Sequence, residues 1–145
     1  MKTLVIFTDG GARNNPGPAG IGVVFYDDNG NLKYTHKEYL GIKTNNQAEY
    51  AALICALEKA REFEPEKIIV NLDSKLITEQ LNGNYKVKNS GLKELFWQAR
   101  TLVLKFGQRI ELRHIPRSKN TKADSLVNQA IDEKLKKTKN NRPKT

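Results

Sequence analysis

The sequence predicts an α/β fold in which a mixed five-stranded sheet, three antiparallel strands followed by two further strands, is flanked by helices. Three observations predict it. Five short segments are rich in apolar and β-branched residues and close on turn or polar residues, as strands do. Segments after the third carry apolar residues at helical spacing. The resulting order, three strands, helix, strand, two helices, strand, helix, lets helices cover the faces of one sheet. At 145 residues the chain is long enough to bury a core as a single domain.

Residues 2–8 are an apolar run closing on Asp9-Gly10-Gly11, the pattern of a buried strand entering a turn. After Arg13-Asn14-Asn15-Pro16-Gly17-Pro18, residues 20–27 and 32–40 form the second and third strands, with Asp27-Asp28-Asn29-Gly30-Asn31 as the hairpin between them. Thr44 with Gln47 three residues on is a capping box. Ala48, Ala51, Ala52, Ile54, Cys55 and Leu57 continue a helix of about four turns that Glu64-Pro65 breaks. Ile68, Val70 and Leu72 alternate along a fourth strand that stops at Asp73. Residues 74–81 suit a short helix and 83–90 a loop. Residues 92–106 suit a longer helix with Leu92, Leu95, Ala99, Leu102 and Phe106 on one face. Residues 109–114 form the last strand, Pro116 stops it, and 120–135 form a final helix turning Ala123, Val127, Ala130 and Ile131 inward. Tyr50, Phe96 and Trp97 have apolar helical neighbours and are expected in the core or half-buried.

Lys and Arg number 25 against 16 Asp and Glu, and the net charge of +9 is the footprint of a polyanion binder. The excess is uneven: Lys134, Lys136, Lys137, Lys139, Arg142 and Lys144 supply six of the nine charges, so residues 136–145 are expected to be a basic, disordered tail behind a domain of residues 1–135. A lone cysteine, Cys55, excludes an internal disulfide or a multi-thiolate metal site and fits a reducing cytoplasm. No apolar run approaches the roughly 20 residues of a membrane span, and the N-terminal one is too short for a signal peptide. A cytoplasmic protein without membrane contact is expected.

Four acids sit at expected element boundaries: Asp9 and Asp73 after strands, Glu49 and Asp124 in first turns of helices. For Glu49 and Asp124 alone, the helix dipole is sufficient reason. An aspartate closing a buried strand must be paired, hydrogen-bonded to turn amides, or bound to a cation. At Asp9, the amides of Gly10-Gly11 and a metal ion are equally good accounts. Mg²⁺ takes one or two carboxylates per ion beside waters and phosphate oxygens, so a set of four suits two ions.

Phe7-Thr8-Asp9-Gly10-Gly11, Asn15-Pro16-Gly17-Pro18, Thr44-Asn45-Asn46-Gln47-Ala48-Glu49, Leu72-Asp73-Ser74, and His114 followed by Lys122-Ala123-Asp124 closely resemble type 1 ribonuclease H across residues 2 to about 134. The resemblance implies a ribonuclease H-like fold and an endonuclease that hydrolyses the RNA strand of RNA–DNA hybrids, leaving 5′-phosphate and 3′-hydroxyl ends. It implies two Mg²⁺ ions, for which Mn²⁺ substitutes. Asp9 would bridge both, Asp124 would share the ion that activates water, and Glu49 and Asp73 would hold the ion near the leaving oxygen. His114 would assist proton transfer or product release, as an imidazole can near neutral pH. Gly10, Asn45 and Asn46 would contact sugars and base edges in the minor groove, and Asn15 and Thr44 a DNA phosphate. His36 has no such context and is expected to be a solvated strand residue.

Two departures from the family pattern stand out. Lys75 follows Asp73-Ser74 where many members have glutamine, which would exchange a minor-groove hydrogen bond for a phosphate contact. Residues 82–91 are a short loop where well-known members have an extra helix and a basic protrusion, and no N-terminal hybrid-binding domain is expected ahead of the first strand. A minimal, monomeric enzyme is therefore expected. Tyr85, Lys86, Lys88, Arg113, Arg117, Lys119, Lys122 and the tail are its candidate phosphate contacts. Two other functions stay open: a catalytically silent nucleic-acid-binding module, and a nuclease that also acts on double-stranded RNA.

Overall fold

The computed structural model describes residues 2–140. Its five strands are β1 (Thr3–Ala12), β2 (Gly17–Tyr26), β3 (Leu32–Lys43), β4 (Lys67–Leu72) and β5 (Ile110–His114). Its helices are α1 (Asn45–Ala60), α2 (Lys75–Leu81), α3 (Ser90–Phe106) and α4 (Thr121–Asn140). The sheet order is β3-β2-β1-β4-β5, with β1, β2 and β3 antiparallel and β4 and β5 parallel to β1. This is the expected α/β fold.

Alternation along β1 sends Leu4 and Ile6 into a core with Phe25, Tyr50, Leu53, Leu57, Ile68, Val70, Leu72, Leu92 and Phe106. Each such side chain taken out of water contributes about 1.5–3 kcal/mol. The two faces of the sheet are covered by different helices. A Cβ on Gly10 would meet Ala48 of α1, and one on the next residue, Gly11, would meet Val127 of α4, so α1 and α4 lie on opposite faces. No helix among the described residues is long and apolar enough to cross a membrane.

Four local expectations need correction. β1 does not end at Thr8: it runs on to Ala12, pairing with β2 through Asp9↔Gly22, Gly10↔Ile21 and Gly11↔Gly20. The capping box at Thr44 is present, but it places Glu49 beyond the first turn of α1, where the helix dipole has faded. Trp97 is 60% exposed, because the inward stripe of α3 is Leu92, Ala99, Leu102 and Phe106 and position 97 falls outside it. Tyr50 is fully buried and Phe96 packs at the core margin, as expected. The last helix continues past Leu135 to Asn140, since a lysine-rich run can extend a helix in solvent. Residues 141–145 of the expected tail lie outside the described residues.

Candidate active site

Asp9 is the first residue of β1 beyond its last pairing with β4, Thr8↔Leu72, and Asp73 is the first residue after β4. The two aspartates therefore stand side by side where the parallel ladder stops. Gly10 lets α1 in: a Cβ there would sit 2.2 Å from the carbonyl carbon and oxygen of Ala48, so only glycine permits this backbone contact. Gly22, paired with Asp9, does the same for α4, with a Cβ position 2.1 Å from the Ala123 oxygen. In both helices the residue resting on the sheet glycine immediately precedes the acid, Ala48 before Glu49 and Ala123 before Asp124. The end of the parallel ladder and two glycine seats thus bring carboxylates from four parts of the chain close together.

One carboxylate oxygen from each of Asp9, Glu49 and Asp73 lies within 4.8 Å of the others, which makes these three a candidate divalent-metal site. Asp124 lies outside that triangle but within hydrogen-bonding reach of Asp9. Asp9 is 3% exposed and Glu49 7%, while Asp73 and Asp124 are half-buried. Burial pushes the Asp9 carboxyl up to about 7; Glu49 opposes the rise through a hydrogen bond, and the charges of Asp73 and Asp124 add to it. Burial also raises Glu49 well above the ordinary glutamate range, the Asp9 charge adds to this, and the Gly10 amide lowers it in part. None of the ion pairs among the described residues involves these acids. Glu49 Oε2 is buried with no hydrogen-bond partner there.

In the sequence Asn120 stands out only as the start of the last helix. It is 1% exposed, and its Nδ2 donates to Asp73 Oδ2 at 3.0 Å and to the Thr8 carbonyl at 2.8 Å. It therefore holds Asp73 against β1. An asparagine four residues before an acid at a helix start was the available signal, but the same pattern also suits a cap. Asn128 supports Asp124 more loosely, at 3.1 Å to its carbonyl and 3.5 Å to its carboxylate.

The other expected residues border this centre. His114 is exposed at the end of β5, paired with Leu72, the neighbour of Asp73. Asn15 and Asn45 use their side-chain oxygens on the fold: Asn15 Oδ1 accepts from the Asn45 amide at 2.9 Å, and Asn45 Oδ1 accepts from the Ala12 amide at 2.8 Å. These bonds leave both side-chain NH₂ groups as donors near the α1 N-terminus, a position that favours anions. Thr44 accepts from the Gln47 amide as the helix cap, Asn46 is half-buried beside it, and Lys75 is exposed at the start of α2. Arg113 is engaged by Glu111 through two bonds of 2.9 and 3.1 Å, which competes with its expected phosphate contact. His36 is half-buried and bonded to Glu38 at 3.0 Å instead of fully solvated.

Residues 7–130 match the family described as reverse transcriptase-like. The chain is 32% identical to a ribonuclease H of Alcanivorax borkumensis over 157 aligned positions, covering 92% of this chain and 94% of that protein. The chain belongs to the ribonuclease H family. A ribonuclease H1 isolated from compost by a metagenomic approach, LC11-RNase H1, was solved in complex with an RNA/DNA hybrid; it is 47% identical, with a TM-score of 0.85 over 91% of this chain and 99% of that one. A bifunctional protein of Mycobacterium tuberculosis is 44% identical over 130 residues, 89% of this chain and 35% of its own length. The chain thus spans about a third of the mycobacterial relatives it matches. The sheet order is accordingly that of a ribonuclease H fold.

Proposed function

We propose that this chain hydrolyses the RNA strand of RNA–DNA hybrids, using divalent cations held by Asp9, Glu49, Asp73 and Asp124. The observation that carries the proposal is the convergence of Asp9, Glu49 and Asp73, the first two buried, with no ion-pair partner among the described residues. The 47%-identical relative solved with an RNA/DNA hybrid supports the substrate.

The residues fit a hard cation. The donors are all carboxylate oxygens, and Glu49 Oε2 lacks a partner. Neutralising Asp9 and Glu49 would relieve the burial that raises both. Two Mg²⁺ ions bound there, or Mn²⁺ in their place, would supply Lewis-acid stabilisation of the phosphoryl charge and a more acidic water. Asp9, which neighbours the other three acids, would share both ions; Asp124 would help hold the one that acidifies the water, and Glu49 and Asp73 the one near the leaving oxygen. Water attacks phosphorus and the P–O3′ bond breaks, so the phosphate stays on the 5′ end and the released 3′ oxygen takes a proton. His114 stands at the rim beside Asp73 to carry that proton or help release product. The side-chain donors of Asn15, Asn45 and Asn46, with Gly10, Thr44 and Lys75, would seat sugars and phosphates of the hybrid. All four carboxylates come from one chain, so a monomer with the catalytic domain in residues 1–135 suffices.

The test is cleavage of a labelled hybrid in Mg²⁺ by wild type and Asp9→Asn, beside matched RNA–RNA and DNA–DNA duplexes. The expected outcome is cutting of the hybrid's RNA strand alone, abolished by chelator and by the substitution. Binding of hybrid without cutting in Mg²⁺ or Mn²⁺ would instead establish a silent binding module. Equal cutting of RNA–RNA would establish a relaxed nuclease.

A further inference from the structure

The loop between α2 and α3 and the first turns of α3 form a surface groove of about 480 Å³. Its lining among the described residues includes three cations, Lys86, Lys93 and Arg100, and no acid. Two aromatic side chains lie open beside them, Tyr85 at 44% exposure and Trp97 at 60%. Phe96 stands edge-on to Trp97 with ring centroids 5.3 Å apart, backing the indole from one side. Glu58 and Glu94 lie on the other flank of Trp97, so an anionic ligand is directed to the lysine side.

Flat aromatic surface interleaved with cations is what a single-stranded polynucleotide needs, since each base offers a face to stack and each phosphate a charge to neutralise. An apolar peptide would leave the cations unused, and an acidic one would leave the indole face unused. One helix links the groove to the candidate active site. α2 starts beside Asp73 and reaches the groove rim after seven residues, a rise of about 10 Å. Gln80 in the lining accepts a hydrogen bond from Tyr50, the residue after Glu49, and Arg100 donates to the Leu81 carbonyl at 3.4 Å.

We propose that this groove binds a single-stranded extension of the hybrid, with a base stacked on Trp97 and phosphates on Lys86 and Lys93. The proposal rests on the hybrid being the substrate. Trp97 is the chain's one tryptophan, so its emission reports on the groove. The experiment titrates the protein, in chelator, with a blunt hybrid and with the same hybrid carrying an extension of about six nucleotides, on the DNA strand in one arm and the RNA strand in another. Quenching by an extended hybrid in either arm, beyond that by the blunt one, supports the proposal. Trp97→Ala then weakens binding of the extended hybrid roughly tenfold and leaves cleavage of the blunt hybrid within about twofold. Lys93→Ala, which keeps the fluorophore, makes the salt dependence shallower by about 0.7 in logarithmic slope. Equal quenching by blunt and extended hybrids in both arms overturns the proposal, as does an extension preference that survives Trp97→Ala. Failure of wild type to cut the blunt hybrid overturns the hydrolysis reading instead, while the quenching comparison still decides the groove.

Discussion

Asp9 and Glu49 are nearly sealed from water, whereas Asp73 and Asp124 sit half-open at the rim. The buried pair is fixed by backbone: Asp9 by β-pairing to Gly22 and Glu49 by the seat of Ala48 on Gly10. At the rim, side chains share the work: Asn120 holds Asp73, and Asn128 adds a looser bond to Asp124, whose helix is seated by Ala123 on Gly22. The difference separates two tasks. Backbone can hold charges where water cannot relieve them, and such charges bind a cation strongly because nothing else satisfies them. Adjustable side-chain bonds suit carboxylates that remain open to solvent.

The largest expected break in this comparison comes from pH. Asp9 keeps its proton in the folded state up to about 7, whereas the unperturbed aspartate value is 3.8. Its folded pKa is raised, so its stabilising contribution is complete below about pH 4 and is lost as pH rises through 7. At about 1.4 kcal/mol per pH unit, metal-free protein should lose a few kcal/mol of this contribution across that window. Asp27 and Glu111 are shifted down and act in the opposite sense, so the quantity to follow is wild type minus Asp9→Asn in denaturant titrations with chelator. We expect that difference to turn against wild type as pH rises and to shrink when Mg²⁺ is added. A flat difference would place the Asp9 carboxylate in water.

A smaller effect should come from the rim. Asn120→Ala removes the donor to Asp73 and to the buried Thr8 carbonyl, costing about 1–3 kcal/mol of stability. Metal affinity, followed by calorimetry, and cleavage rate should both fall 10- to 100-fold. Loss of stability with unchanged metal affinity would make Asn120 a fold residue alone. The smallest effect is expected at Asn128→Ala, on an exposed position, with stability within about 0.5 kcal/mol of wild type and a weaker effect on cleavage than Asn120→Ala.

Much of this was legible in the sequence because local periodicity and tertiary demand agree. The five strands, the capping box at Thr44 and the four acids all announce themselves within a few neighbouring residues. Where distant partners decide, the sequence misleads. Asp9-Gly10-Gly11 has the composition of a turn, yet it stays in β1, paired with β2, and Gly10 is needed where α1 presses on the sheet. Asn120 acquires its role from Thr8, 112 residues away, and from Asp73, 47 away, and no local pattern encodes either. Trp97 borders an apolar stripe without belonging to it, and one position on a helix turns a side chain by about 100°. That rotation is the difference between core and surface.

The glycine seats have a consequence for redesign. Because Ala48 and Ala123 rest on Gly10 and Gly22 through main-chain atoms, the spacing of the carboxylates is set by covalent geometry and van der Waals radii. Repacking Leu4, Ile6 or Leu53 for thermostability should therefore leave the gauge between the carboxylates untouched, while a single added methyl at residue 10 or 22 would reset it.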